Sequence, residues 1–295
     1  MKKFKILIPC YNDWKSLFKL LNNIENNISQ IEAEFSVLIV NDCSTEKMPK
    51  ISFNFKKIKS IDIINIKKNQ GHTRCNATGI KYLSENKDFD YLLLMDGDGE
   101  DDPDDVPLII KNILEKENIS VVATRKKRSE GVLFTLLYKI HKIITLIFAG
   151  KNMNFGHYSC LTKKDVILLS TKKTLWSNFA GAAKKFIPNL HGVPTVRGLR
   201  YYGPSKMPLG GLIVHSLSII ASFKYQVLFR SVLIIILFSF LYLKINQNFI
   251  FMIISFLIAL FCLIIFIISK RENFKELNDC QQRIGDIVNI HTKRL

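Results

Sequence analysis

The chain has 295 residues, 48% of them hydrophobic, and a formal net charge of +17 from 42 lysines and arginines against 25 aspartates and glutamates. This composition is globular with an apolar excess, and the six cysteines, scattered without a CxxC pair, fit reduced thiols and exclude a zinc ribbon or a disulfide scaffold. The basic surplus suits an anionic membrane or phosphorylated small molecules. No finger spacing, RNP-like aromatic motif or basic-region heptad supports a nucleic-acid partner, and none is expected.

The opening MKKFKILIPC is basic, but its apolar stretch is short and ends at Pro9, too brief for a signal-peptide core, so export is not expected. Apolar runs rich in β-branched residues at 4–10, 35–40, 61–66, 90–95 and 119–123 read as strands. Helical patterns fall between them at 14–28, 73–86 and 104–117, the last opened by Asp102 as cap and Pro103 at the first turn. Such alternation predicts an α/β fold with a mostly parallel sheet covered on both faces, because parallel neighbours need a crossover. Sheets of this kind bind ligands at the carboxyl ends of their strands. The strand ends run into Pro9-Cys10-Tyr11-Asn12-Asp13, Asn41-Asp42-Cys43-Ser44, Asn69-Gln70-Gly71 and Asp96-Gly97-Asp98. Any one of these could be a polar loop; four in phase point to a site at one edge.

Further on, residues 132–149 are apolar except for Thr135, Lys139, Lys142 and Thr145, spaced three or four apart. A single polar stripe on an apolar helix reads as an interfacial helix, with a core helix as the alternative; a second interfacial helix is expected at about 208–223. Residues 227–243 and 249–268 are both apolar; the second has about the length needed for a ~30 Å hydrocarbon core, and the first is marginal, with Arg230 able to snorkel from its end. Their short link, 244–248, predicts a hairpin. Lys224, Arg230, Lys270, Arg271 and Lys275 flank its outer ends against Lys244 in the turn, so the positive-inside rule places the bulk of the protein in the cytoplasm. The expected division is a cytoplasmic domain at 1–225, a transmembrane hairpin at 226–269 and a cytoplasmic tail at 270–295, with the chain a multi-pass protein of the cytoplasmic (inner) membrane.

The decapeptide from Asp96 to Asp105 carries seven carboxylates against the trend of the chain. Asp96 and Asp98, separated by one small residue at a strand end, can face one cavity, with Gly97 leaving space between them. A hard dication such as Mg²⁺ takes one or two carboxylates plus phosphate and water, and Mn²⁺ also fits. Asp101, Asp102, Asp104 and Asp105 are explained by the helix they open, whose dipole favours negative charge.

These segments carry a resemblance. LIPCYND resembles the PxYNE opening of family-2 glycosyltransferases, VLIVNDCS their VDDGS turn, NQGHTRCNATGI their NxGxxxAxxxGI segment, and MDGDGEDDP their DxDxQDPP metal motif. RYYGPSK, from Arg200 to Lys206, is similar to the RxxGxSK segment of the polyprenyl-phosphate branch, the dolichyl-phosphate mannose synthase-like enzymes with a C-terminal membrane hairpin.

The resemblance implies a GT-A nucleotide-sugar-binding fold and a metal-dependent, inverting hexosyltransferase that moves a sugar from a nucleotide diphosphate sugar to a polyprenyl phosphate, in cell-envelope polysaccharide synthesis. It implies that Pro9, Tyr11 and Asp13 frame the base and ribose, that Asp42 accepts a hydrogen bond from the nucleobase, and that Glu100, where the family often has Gln, joins Asp96 and Asp98 at the metal. Arg125 and Arg128 in TRKKR match the family segment whose arginine contacts acceptor phosphate, a role suited to the planar guanidinium. The resemblance further implies that Arg200 and Lys206 neutralise the donor diphosphate or its leaving group, so that Asp98, Arg125, Arg200 and Lys206 form the expected catalytic set. One departure is His157, in NFGHYSCL, where relatives often carry an aspartate. A phosphate acceptor is already anionic and needs little base; a hydroxyl acceptor, on a lipid or glycan, would let His157 serve as one. A catalytically weak membrane scaffold is the non-enzymatic alternative, and assembly into an oligomer is left open.

Overall fold

Apolar runs alternating with helical periodicity become β–α alternation in the computed structural model, which describes residues 1–50, 53–85, 88–116, 119–127, 132–204, 208–245 and 248–292. The chain divides into two units. The first comprises Met1–Ser129, Phe155–Ser205 and Asn273–Leu295; the second comprises Glu130–Asn154 and Lys206–Glu272.

In the first unit, β1 (Lys2–Cys10), α1 (Trp14–Asn27), β2 (Ala33–Asn41), β3 (Ile58–Ile66), α2 (His72–Glu85), β4 (Tyr91–Leu94), α3 (Val106–Glu115) and β5 (Ser120–Lys127) follow the sequence reading closely. Helix α4 (Val132–Ile144) belongs to the second unit. The first then resumes with β6 (Phe155–Thr162), α5 (Lys163–Ser170), α6 (Thr174–Ser177), α7 (Phe179–Phe186) and β7 (Leu190–Val196). Among the described residues one eight-stranded sheet forms, in the order β7-β5-β6-β4-β1-β2-β3 and finally β8 (Ile284–Thr292). Its strands run the same way except β6, antiparallel to β4 and β5, and β8, antiparallel to β3.

The central strands are buried on both faces, which is why they read as continuous apolar runs. Ile6, Leu7 and Ile8 of β1 are all fully buried. On one face Phe4 packs against Phe35 and Tyr91 of the flanking strands, with ring centroids 5.4 and 5.0 Å apart. On the other, α2 comes so near β1 that a Cβ on Gly79 would lie 2.4 Å from Leu7 Cδ1. The expected cap at Asp102 is present: its carboxylate accepts from the Asp104 amide at 3.0 Å and starts a short 3₁₀ turn, Pro103–Asp105, that leads into α3.

Residues 270–295 are not the tail expected from the sequence. The structure returns them to the sheet instead: after α11 (Phe274–Asn278), β8 covers the edge of β3, and Asn289 Nδ2 donates to Asp62 Oδ1 at 2.8 Å. An uncovered β3 would present unpaired amides and carbonyls along its length. The return is anchored at Trp176, whose Nε1 donates to Glu276 Oε2 at 2.9 Å and whose ring lies under Arg74 and Arg283.

The second unit is helical. It contains α4, a π turn at Thr145–Ala149, and α8 (Leu209–Ala221), α9 (Lys224–Lys244) and α10 (Phe249–Ser269). Its packed centre is small, formed by Ala149, Ile220, Ala221, Phe223, Val227 and Ile265. The two 21-residue helices α9 and α10 are long and apolar enough to cross a membrane, at roughly 32 Å each. Arg230 does not extend along its helix as a snorkelling residue would; Nη1 donates to the Ile147 carbonyl at 3.1 Å, capping the π turn, and Gly150 leaves the space its guanidinium fills. On α4 the polar stripe is only partly exposed. Thr145 is fully buried with its hydroxyl donating to the His141 carbonyl, whereas Leu136, Leu137, Ile140 and Ile143 are 43–56% exposed.

Candidate active site

Register brings the carboxyl ends of β1 to β4 to one edge. Cys10 pairs with Asn41 and Asn41 with Asn65, while β4, aligned Leu7 to Leu94, reaches Asp96 at the same level. Asn12 takes a positive φ of 48°, a conformation asparagine tolerates, and ties the first two loops together. Its Oδ1 accepts from the amides of Thr45 and Glu46 at 2.8 and 3.1 Å. Pro9 is buried in β1, while Tyr11 is 38% exposed at its mouth.

Asp42 is buried, and Oδ1 and Oδ2 accept from the backbone amides of Gln70 and Gly71 at 2.7 and 2.8 Å. Burial raises its pKa above the ordinary carboxylate value, against those amides. The nucleobase role expected of Asp42 therefore competes with loop-building, although each oxygen keeps a second lone pair. Asn41, where the family has aspartate, donates Nδ2–H to Asn65 Oδ1 at 2.8 Å.

The acidic turn divides by partner. Asp96 Oδ1 lies 2.9 Å from His72 Nε2, at the start of α2, and 2.8 Å from His157 Nε2, on β6. Burial alone would raise the Asp96 pKa, but His157 and His72 hold it well below the usual range. Burial alone would lower that of His157, yet Asp96 and Asp101 push it up to about 10. Asp101, 1% exposed, accepts from the Asp96 amide at 3.0 Å and stands 3.4 Å from His157 Nε2. Asp98 has a different environment: burial, then Asp96 and Glu100, push its pKa up to about 7 against Arg200.

Gly97 was expected to leave room for a ligand. The structure gives it another task, since a Cβ there would stand 3.2 Å from both Ile8 Cγ2 and the Pro9 carbonyl oxygen. Its bare backbone lets the turn lie against β1.

A strap at residues 197–201 closes over the turn. Asp101 forms a β-bridge with Arg197, the Gly198 amide donates to the Glu100 carbonyl at 3.0 Å, and the Tyr201 amide donates to the Asp98 carbonyl at 2.9 Å. Arg197 pairs with Glu100. Arg200 joins two loops, with Nη1 donating to Asp98 Oδ2 at 2.5 Å and Nη2 to Asp13. A Cβ on Gly198 would meet the Gly99 carbonyl oxygen at 2.4 Å, a backbone atom that cannot rotate away. Gly198→Ala is therefore expected to lift the strap and lower the activity of this site at least ~10-fold, the cost of losing about one charge-assisted contact. Wild-type kinetics in this variant would show that the strap is not part of the site.

Of the residues expected from sequence, Pro9, Tyr11, Asp13, Asp42, Asp96, Asp98, Glu100, His157 and Arg200 meet at this edge. Arg125 lies toward the carboxyl end of β5, its backbone opposite Thr195 of β7; its side chain, Arg128 and Lys206 lie outside the described residues. Sequence reasoning missed His72, Asp101 and Arg197. His72 follows directly on Asn69-Gln70-Gly71, one residue past the cluster that was singled out.

A divalent cation fits this edge by the chemistry of its donors: His72, Asp96 and His157 place one ligand atom each within 4.8 Å of one another. Asp98 and Glu100 offer two more carboxylates on the same turn, both engaged by arginines.

The mostly parallel sheet with helices on both faces is a GT-A-like fold. A model of glycosyl transferase family 2 matches residues 5–172, and the chain belongs to that family. Among curated relatives, undecaprenyl-phosphate 4-deoxy-4-formamido-L-arabinose transferase of Proteus mirabilis is 26% identical over 165 residues, covering 55% of this chain and 48% of that one. The same-named protein of Photorhabdus laumondii is 27% identical over 165 residues, covering 55% and 49%. The chain thus spans about half the length of these relatives. Among solved structures, mannosyl-3-phosphoglycerate synthase of Rubrobacter xylanophilus superposes with a TM-score of 0.53 at 11% identity, covering 75% of this chain and 72% of that one. Glucosyl-3-phosphoglycerate synthase of Mycobacterium tuberculosis, in complex with Mn²⁺, UDP and phosphoglyceric acid, does so with a TM-score of 0.51 at 12% identity, covering 77% and 78%. At these identities the likeness is one of fold.

Proposed function

We propose that the chain is a membrane-bound, inverting glycosyltransferase that moves a sugar from a nucleotide diphosphate sugar to a polyprenyl phosphate at the cytoplasmic face. The observation that carries the reading is the Arg200 bridge between Asp13 and Asp98 at the strand-end edge, beside the Asp96 cluster. A guanidinium there, with its fork of donors between two carboxylate-bearing loops, supports a role in holding the donor diphosphate. The relatives named for undecaprenyl phosphate support the acceptor class, and the metal-and-UDP complex of the fold neighbour supports the donor class.

In this reading Pro9, Tyr11, Asp13 and Asp42 border the nucleoside, and Arg200 exchanges a carboxylate partner for the diphosphate. Arg125, Arg128 and Lys206 supply positive charge to the acceptor and leaving phosphates. A divalent cation would be held around Asp96, on the turn that also carries Asp98 and Glu100, and would supply positive charge against the diphosphate. An acceptor phosphate oxygen attacks the anomeric carbon from the face opposite the leaving group; the new bond is sugar to phosphate, and nucleoside diphosphate departs. Because the nucleophile is already an anion, no base is required. His157 agrees with this, since its Nε2 points into Asp96 and Asp101 rather than toward open solvent. Membranes containing the chain, incubated with a panel of radiolabelled nucleotide sugars, are expected to render one label extractable into organic solvent. A panel with no extractable label would contradict the proposal.

The bilayer partner follows from α9 and α10 and from the exposed apolar residues of α4. With both outer ends of the hairpin cytoplasmic, Lys244→Cys should react with an impermeant maleimide in intact cells and Lys270→Cys only after permeabilisation. The reverse pattern would invert the topology and remove the cytoplasmic donor. Cys280 is fully buried and cannot serve as the inner reporter.

A further inference from the structure

We propose that the metal site of this chain is a two-imidazole, one-carboxylate site built from His72, Asp96 and His157, selective for a first-row transition dication such as Mn²⁺ over Mg²⁺. The inference rests on the metal-assisted reading above and changes its donor set from carboxylates alone to mixed nitrogen and oxygen.

Three observations carry it. The first is convergence: two imidazoles from separate elements, the start of α2 and the first half of β6, aim Nε2 at the same atom, Asp96 Oδ1, at 2.9 and 2.8 Å. Their rings meet at 63° with centroids 4.7 Å apart, so neither blocks the other's approach to a shared point. The second is spacing. For metal–ligand distances of about 2.1 Å, neighbouring ligand atoms stand about 3.0 Å apart in an octahedron and about 3.4 Å in a tetrahedron. The two His–Asp separations are close to the first figure, and all three ligand atoms fall within 4.8 Å.

The third is what the other carboxylates do. An oxygen-only site would draw on Asp98 and Glu100, but these are paired with Arg200 and Arg197, and Asp98 Oδ1 also accepts from the Glu100 amide at 2.9 Å. Recruiting them to a cation means breaking ion pairs that the strap holds in place. His72, Asp96 and His157 would instead exchange their contacts with one another, together with those of His157 to Asp101 and of His72 to Asn76, for a shared ion, and the strap would stay in place. The three side chains are partly exposed, at 28%, 21% and 14%, so an ion can enter and leave coordination positions for water and donor oxygens. Imidazole nitrogen favours transition dications, whereas Mg²⁺ prefers oxygen ligands and keeps its water.

The test reads the ligands directly. Purified full-length protein is loaded with Mn²⁺ alone, without nucleotide, and examined by electron spin-echo envelope modulation. ¹⁴N couplings from coordinated imidazole are expected in the wild type and in Asp98→Asn. They should weaken in His72→Gln and in His157→Gln, with Mn²⁺ affinity falling at least ~10-fold in each. Excess Mg²⁺ should displace Mn²⁺ poorly. Mn²⁺ bound with no ¹⁴N coupling in the wild type would overturn the donor set while leaving metal-assisted transfer intact, a result that needs no variant to fold. Nitrogen-coordinated Mn²⁺ in a protein that transfers no sugar to lipid would do the opposite.

Discussion

Asp98→Ala lowers sugar transfer by at least ~10²-fold, on the scale of losing one preorganised electrostatic group, while Asp104→Ala leaves it near wild type. The two residues lie six positions apart in one acidic run but have unrelated surroundings. Asp98 is partly buried, takes Arg200 at 2.5 Å and stabilises the turn through the Glu100 amide. Its removal leaves Arg200 with one carboxylate and takes away the side-chain tie between the strap and the turn, while the backbone contacts of the strap remain. Asp104 belongs to the short 3₁₀ turn before α3, and its carboxylate accepts only an exposed bond from Asn27 Nδ2 among the hydrogen bonds described. Removing it costs a surface contact worth a few tenths of a kcal/mol to about 1 kcal/mol. Steady-state rates with saturating donor check the pair, and equal losses would mean that the acidic run acts as one structural block.

Arg200→Ala is expected to lower transfer comparably, by roughly 10- to 150-fold for the loss of one charge-assisted contact and more if both are used. The side chain is 15% exposed and its two carboxylate partners 17% each, so the bridge is largely shielded from water. Truncation strands Asp13 and Asp98 without their cation, and breaking a buried pair costs about 3–5 kcal/mol when one partner is left alone. Arg200→Lys restores the charge but not the fork: one ammonium cannot donate in two fixed directions, so this variant should stay well below wild type. Thermal melting distinguishes the roles. If Arg200→Lys melts like wild type yet remains slow, the guanidinium serves the reaction; if activity and melting temperature fall in proportion, the bridge is only a brace.

Local signals carried the first half of the fold. β1 to β5 and α1 to α3 sit within a few residues of the sequence reading because each is a short apolar run or an amphipathic repeat bounded by a turn, and the Asp102–Pro103 start of α3 is written in adjacent residues. What was not legible depends on contacts between distant segments. β8 (IGDIVNIHT) mixes polar and apolar residues without clear alternation and follows two long apolar helices, so nothing local reveals that it closes the β3 edge. The His72–Asp96–His157 cluster joins positions 24 and 61 residues apart, and His157, read as a replacement for a family aspartate, gained a partner only when β6 was placed beside β4. Arg197 was invisible for the same reason, since its partner Glu100 is 97 residues away. Gly97 shows the converse error: a residue that looked like space for ligand is close packing between strands.

The central claim is a phosphate acceptor, and purified full-length chain answers it with two lipids that differ in one group, a synthetic polyprenyl phosphate and the matching polyprenol, each given Mn²⁺ and labelled nucleotide sugar. Label should enter the phosphate lipid with release of one nucleoside diphosphate per sugar and should not enter the alcohol. Transfer to polyprenol, or donor consumption that labels neither lipid, would contradict it.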